Sequence, residues 1–273
     1  MTQEAYKENG WIVEVDITHR CNLRCRHCNR LCNAETHYNT HRDLLDMDER
    51  HINYLCSQIR KQQAGKIRML RILGGEPLLS PIIRYAIESF ESLRTEGLIQ
   101  DIVVMSNGTV KVPEYLEPYI IHYPPKIQNV ISNNGKITTN EVYSIKEEKH
   151  VNITFSPADN DCFIDKPCDR YIGCGVHYSV YGFSLCASCF PSMFVFQRNH
   201  GRFLHHLPSS IDSFIDERFT KEVCSFCVYG LRLMGLNTDT LAKEGMGNRW
   251  EMEVGFNRNN GFKEPDTSWI NMI

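Results

Sequence analysis

Trp11-Ile12-Val13-Glu14-Val15-Asp16-Ile17-Thr18-His19-Arg20-Cys21-Asn22-Leu23-Arg24-Cys25-Arg26-His27-Cys28 decides how the rest of the chain is read. Residues 11–18, rich in Val and Ile, read as a β-strand. The strand runs into a Cys-x3-Cys-x2-Cys spacing made by Cys21, Cys25 and Cys28. Three thiolates suit an iron–sulfur cluster that ordinarily takes four protein ligands, which leaves one iron open to another molecule. A four-ligand zinc site is the competing reading, with Cys32 or His27 completing the set. Farther along, a second strand at 67–73 ends in Gly74-Gly75-Glu76-Pro77.

Working outward, further strands read at 101–106, 127–132 and 150–155, with helical patterns near 47–63 and 80–95 and weaker ones at 113–121 and 138–148. Asp48 is placed to start the first helix. Ser80-Pro81 suits the start of the second, Ser as N-cap and Pro at the first helical position. Such alternation of strand and helix implies an α/β fold with parallel strands and crossover helices. Ligands of parallel sheets gather beyond the C-terminal strand ends. The cysteine run and Gly74–Pro77 both follow such ends, so one site can hold both.

With these motifs in this order, residues 11–157 resemble the core of the radical S-adenosylmethionine (radical SAM) enzymes, a partial (β/α)6-type parallel barrel. The resemblance implies a [4Fe–4S] cluster held by Cys21, Cys25 and Cys28, its fourth iron chelated by S-adenosylmethionine. Reduction then cleaves the cofactor to a 5′-deoxyadenosyl radical. Gly74, Gly75, Glu76 and Pro77 look like the family's methionine-binding motif, where glycine allows close backbone approach to a ligand. Ser106-Asn107-Gly108 looks like the motif lining the methionine end, Ser132 stands where ribose hydroxyls bind, and His27 precedes the last cysteine at the adenine. Arg20, Arg24, Arg26 and Arg30 crowd the cluster loop; they offset its charge or are simply solvated.

After Ser156-Pro157 the composition shifts to Gly, Cys, Tyr and Phe, and helical periodicity fades until 211–220. This divides the chain into a core at 1–157, a cysteine-rich module at 158–236 and a tail or flap at 237–273, where Trp250 and Trp269 are candidate anchors. Cys168, Cys174, Cys186, Cys224 and Cys227 resemble the small twitch-like auxiliary-cluster module of radical SAM enzymes, the shorter relative of the SPASM module, and imply a second [4Fe–4S] cluster. Cys168, Cys186, Cys224 and Cys227 are the favoured set, with Cys174 the main rival and Cys162 and Cys189 behind it. A zinc ribbon is the alternative for this group. Arg170, His177, Tyr178 and Tyr181 fall near the expected second cluster; packing of a small module accounts for such residues, and no catalytic base stands out. The architecture is similar to that of the 2-deoxy-scyllo-inosamine dehydrogenases, which implies oxidation of an alcohol.

Of 273 residues, 42% are hydrophobic, enough for a core and an appended module, and the net charge of −3 recruits neither nucleic acid nor an anionic membrane. The polar N-terminus has no signal-peptide pattern and no apolar run reaches membrane-spanning length, so a cytoplasmic chain is expected, with its 12 cysteines reduced and available to metal. Cys56, alone in a helical pattern, reads as a small buried hydrophobe. The partners implied are a small-molecule substrate and an external electron donor such as flavodoxin or ferredoxin. Three functions compete: a radical SAM oxidoreductase acting on a small polar metabolite such as a sugar or cyclitol, a radical SAM peptide-modifying enzyme, and a non-catalytic zinc-binding interaction protein. Peptide-modifying enzymes of this kind often carry an N-terminal leader-binding domain, and with only ten residues before the first strand none is expected here, which favours the small molecule.

Overall fold

The computed structural model describes residues 10–22, 46–62, 67–122, 175–185, 203–208 and 268–272. Its frame is a six-stranded sheet: β1 (Trp11–Thr18), β2 (Ile67–Gly74), β3 (Asp101–Ser106), β4 (Ile120–His122), β5 (Val176–Ser179) and β6 (Gly182–Leu185). The order is β4-β3-β2-β1-β5-β6. Every neighbouring pair is parallel except the β5–β6 hairpin. Among the described residues the sheet does not close, which is compatible with a partial barrel. Strands expected at 127–132 and 150–155, the helix at 138–148 and the boundary near 157 lie outside the described residues.

Helix α1 (Glu49–Lys61) follows the capping rule read from sequence. Asp48 accepts the Arg50 and His51 N–H groups, and its own N–H reaches the His51 ring, closing a capping box. Ile52, Leu55, Cys56 and Ile59 form the buried stripe that packs on the sheet. Cys56 is 3% exposed and burial pushes its thiol up to about 11, so it is the small core residue its isolation suggested.

Helix α2 (Ile83–Thr95) starts later than Ser80-Pro81 predicts. A short 3₁₀ turn, Pro77–Leu79, takes the Ser80 N–H onto Pro77 O at 3.0 Å. Ser80 therefore ends that turn rather than opening the helix, although its hydroxyl accepts the Ile82 N–H at 3.4 Å. The weak helical pattern at 113–121 is also corrected. It is a 3₁₀ turn, Glu114–Tyr119, running into β4, and Pro118 inside it has neither the N–H nor the room that an α-helix needs.

Strand β1 lies inside the sheet and all eight of its residues are buried. Trp11, Val13, Val15 and Ile17 join Leu70, Ile72, Ile102, Val104, Val176 and Tyr178 in the apolar cluster that α1 and α2 cover. The alternate residues Glu14, Asp16 and Thr18 are turned to the other face. Two later segments close over α1. Leu207 N–H donates to Gln58 Oε1 at 3.2 Å and Gln62 Nε2 reaches the Leu207 and Pro208 carbonyls at 2.8 Å. At 268–272, Trp269 is buried, stacks on His205 at 5.1 Å, meets Tyr54 edge-on at 5.4 Å and donates its indole N–H to Val180 O at 2.8 Å. Trp269 is thus the anchor its composition suggested; Trp250 lies outside the described residues.

Candidate active site at the strand ends

The carboxyl ends of β1, β2 and β3 meet. Gly75 N–H donates to Thr18 O at 2.9 Å and Glu76 N–H to Arg20 O at 2.7 Å. The Gly-Gly-Glu-Pro turn is therefore zipped onto the stem that leads into Cys21. A Cβ on Gly75 would stand 2.3 Å from Arg20 O, and one on Gly74, whose φ is +140°, 2.0 Å from Thr18 O. Glycine is needed at both positions because the second loop must touch the backbone of the first.

Glu76 is wholly buried and its carboxylate accepts Leu78 N–H at 3.1 Å and Asn107 N–H at 2.7 Å. It ties its own turn to the end of β3. Ser106, also buried, accepts Gly108 N–H at 3.1 Å and tightens the loop that follows. Asn107 Oδ1 accepts from the Thr109 N–H and hydroxyl at 3.0 and 2.6 Å, which orients its amide. The Nδ2 group then points to Asn22 Oδ1 at 3.0 Å and to Cys21 Sγ at 3.9 Å. Cys21 is half-buried and forms no disulfide.

Asp46 was not singled out from sequence. It accepts the Thr18 hydroxyl at 2.5 Å and pairs with Arg20 Nε at 2.6 Å, while Arg20 N–H donates to Thr18 Oγ1 at 3.0 Å. Arg20 is thus bound to a carboxylate that fixes the loop stem. No local motif marks Asp46, because its partners lie almost thirty residues away in the chain (28 for Thr18).

Deeper on the same sheet face lies a buried polar row. Arg71 Nη1 meets Glu14 Oε1 at 2.7 Å, and Asp16 Oδ2 meets His177 Nε2 at 2.8 Å with both side chains fully buried. His177 Nδ1 stands 3.3 Å from Ser184 Oγ across the hairpin. A visible signal existed: parallel strands buried on both faces read as apolar runs, and Glu14 and Asp16 interrupt one. Tyr178 and Tyr181 pack as expected. Tyr178 donates to His51 O at 3.0 Å, burial raising its phenol, and Tyr181 lies 5.6 Å from Phe203.

The described residues fit an iron–sulfur group with S-adenosylmethionine. The Cys21 thiol stands just beyond the end of β1, with an amide N–H aimed at its sulfur and the Gly-Gly-Glu-Pro turn bonded beside it. Cys25, Cys28, His27 and Ser132 lie outside the described residues, as do Cys32, Cys162, Cys168, Cys174, Cys186, Cys189, Cys224, Cys227 and Arg24, Arg26, Arg30 and Arg170. No helix among the described residues is long and apolar enough to cross a membrane.

No protein-family model matches the chain. Part of it is similar to GTP 3′,8-cyclases, a radical SAM enzyme family. It is 31% identical over 105 residues to that of Desulforamulus reducens, covering 38% of this chain and 29% of the relative. To that of Nitrobacter winogradskyi it is 30% identical over 106 residues, covering 39% and 29%, and to that of Bradyrhizobium diazoefficiens 29% over 97 residues, covering 36% and 26%. The match thus spans less than a third of each relative, and it supports a radical SAM enzyme in general terms.

Proposed function

We propose that the chain is a radical SAM oxidoreductase that acts on a small polar metabolite such as a sugar or cyclitol. The observation that carries this reading is the junction of the first two loops, where Gly75 and Glu76 N–H groups bond to the Thr18 and Arg20 carbonyls and set the Gly-Gly-Glu-Pro turn beside Cys21. Cys21, Cys25 and Cys28 would hold a [4Fe–4S] cluster, and the Gly74–Pro77 and Ser106–Asn107 loops would line S-adenosylmethionine. The bound group supplies an adenosyl radical when reduced by flavodoxin or ferredoxin; the protein orients it and keeps water out. A second [4Fe–4S] cluster on four of the later cysteines, Cys168, Cys186, Cys224 and Cys227, would take the electron left after a carbinol hydrogen is removed. In that arrangement 158–236 is the auxiliary module and the protein works in the cytoplasm.

The similarity to GTP 3′,8-cyclases favours one second reading, a nucleotide as substrate. Anaerobic reconstitution tests the proposal. Bound iron and sulfide, with 5′-deoxyadenosine released on reduction in the presence of S-adenosylmethionine, is the expected result; zinc alone, and no cleavage, overturns it. Product analysis with myo-inositol and with GTP then separates the two substrate classes.

A further inference from the structure

We propose that Asn107 is a positioning residue of the first iron–sulfur cluster: its side-chain amide donates to the Cys21 sulfur and raises the potential at which the cluster accepts an electron. The proposal rests on the radical SAM reading, in which Cys21 would be one of three thiolate ligands, and deepens it by naming a group that sets the poise of that cluster. The geometry begins with an amide that cannot turn over. Asn107 Oδ1 accepts the Thr109 backbone N–H at 3.0 Å, a group that only donates, so the oxygen end is fixed. The Thr109 hydroxyl gives its proton to the same oxygen at 2.6 Å and accepts one from Asn22 Nδ2 at 2.7 Å. Asn22 Oδ1 in turn accepts from Asn107 Nδ2 at 3.0 Å. The three side chains close a ring in which each bond fixes the sense of the next. Asn107 Nδ2 carries two hydrogens and the ring uses one. The second is left for Cys21 Sγ, 3.9 Å from the nitrogen and within reach of so large an acceptor.

The backbone holds the amide just as firmly. Asn107 N–H donates to Glu76 Oε2 at 2.7 Å, and Glu76, wholly buried, has its own N–H on the carbonyl of Arg20, one residue before Cys21. Donor and sulfur therefore hang from one frame, although they lie 86 positions apart in the chain. Asn107 is only partly covered and Asn22 is exposed. A ring of hydrogen bonds open to water adds little to stability, and the Glu76 bonds already join the two loops. An amide held so tightly at a thiolate has its consequence in the charge of that thiolate. Hydrogen bonds to the sulfurs are among the groups that set an iron–sulfur potential. On reduction the flavodoxin or ferredoxin loses one electron and the cluster gains it; no protein bond forms or breaks and no proton moves. The added negative charge is shared with the thiolate sulfurs, so an N–H directed at one of them favours the reduced state.

Redox titration of the anaerobically reconstituted full-length chain, followed by electron paramagnetic resonance, tests the proposal. The signal that changes shape when S-adenosylmethionine is added marks the cluster with the open iron, so a second cluster is told apart from it. Asn107→Leu and Asn107→Ala remove the donor without adding charge, and Asn107→Asp also puts a carboxylate in its place. At the potential that half-reduces the wild-type cluster, the neutral variants should lower the ratio of reduced to oxidised cluster about tenfold, a fall of about 59 mV for one electron. Asn107→Asp should lower it further. A ratio unchanged or raised in a neutral variant that keeps its iron overturns the proposal, since a residue that only staples the loop alters unfolding and leaves the potential alone. Loss of the cluster from both neutral variants overturns it as well, by making Asn107 a requirement of assembly. A wild-type chain that binds no iron, or shows no signal sensitive to S-adenosylmethionine, sinks the radical SAM reading instead, so the two failures are distinguishable.

Discussion

The two faces of β1 are equally buried and carry opposite chemistry. Toward α1 and α2, Trp11, Val13, Val15 and Ile17 fill an apolar core that needs no specific partners. On the other face the polar side chains of β1 each stand against one: Glu14 against Arg71, Asp16 against His177 and Thr18 against Asp46. Exposure therefore does not separate scaffold from site in this sheet. The cost of an unpaired polar group inside a protein does, because it forces the polar face to recruit side chains from distant strands. The helix face can be filled by any apolar residues of suitable volume, whereas the polar face depends on specific pairs.

The comparison predicts that chemistry and stability respond to different faces. Cys21→Ala, at the end of the polar face, should reduce 5′-deoxyadenosine formation below detection while thermal unfolding stays near the wild-type midpoint, since Cys21 is only half-buried. Unfolding of this variant would show that the loop is part of the scaffold. Trp269→Ala tests the opposite side, where the aromatic side chain closes over Tyr54, Tyr178 and His205. Deleting a buried aromatic costs about 3–5 kcal/mol, read by denaturant unfolding, with iron content per folded molecule unchanged. Ile17→Ala sharpens the contrast because Ile17 is fully buried on the helix face next to Thr18. It should cost about 3 kcal/mol and leave S-adenosylmethionine cleavage per folded molecule intact. Loss of cleavage in a folded Ile17→Ala chain would falsify the division of labour between neighbouring residues.

What was legible in the sequence follows the same division. The helix face was legible because apolar periodicity and caps are local: strands 11–18, 67–73 and 101–106 and both long helices form where expected. The meeting of the cysteine loop with Gly74–Pro77 was legible too, since each motif sits at a strand end whose direction the alternation fixes. The ends of elements were less so. Ser80 was claimed by a preceding 3₁₀ turn, and Pro118 turned a weak helix into a turn and a short strand. Least legible was the polar face. Asp16 and His177 lie 161 positions apart, and nothing local announces that a later hairpin will add to the sheet beside β1 and place the imidazole against the carboxylate. Asp46 was missed for the same reason.

The smallest effect belongs to the cap of α1, where a polar cluster borders the helix face. Burial raises the Asp48 carboxyl, but hydrogen bonds from Arg50 and His51 outweigh it and hold the group at about 2, below its ordinary 3.8. A carboxyl depressed on folding contributes stability that is present above 3.8 and is lost as the pH falls toward 2. The neighbouring His51 is lowered by burial, against the pull of Asp48, so the folded chain favours its neutral form. Stability from that source declines as the pH falls below the ordinary imidazole value of 6.5. Asp48→Ala should cost about 1 kcal/mol at neutral pH through the lost cap. It should also flatten the acid limb between 3.8 and about 2 while leaving a decline below 6.5, because His51 stays buried. Urea midpoints across this range check both limbs. If the acid limb is unchanged in Asp48→Ala, the carboxylates of the polar face carry the acid sensitivity, and the boundary between the two kinds of burial lies inside the sheet rather than at the helix cap.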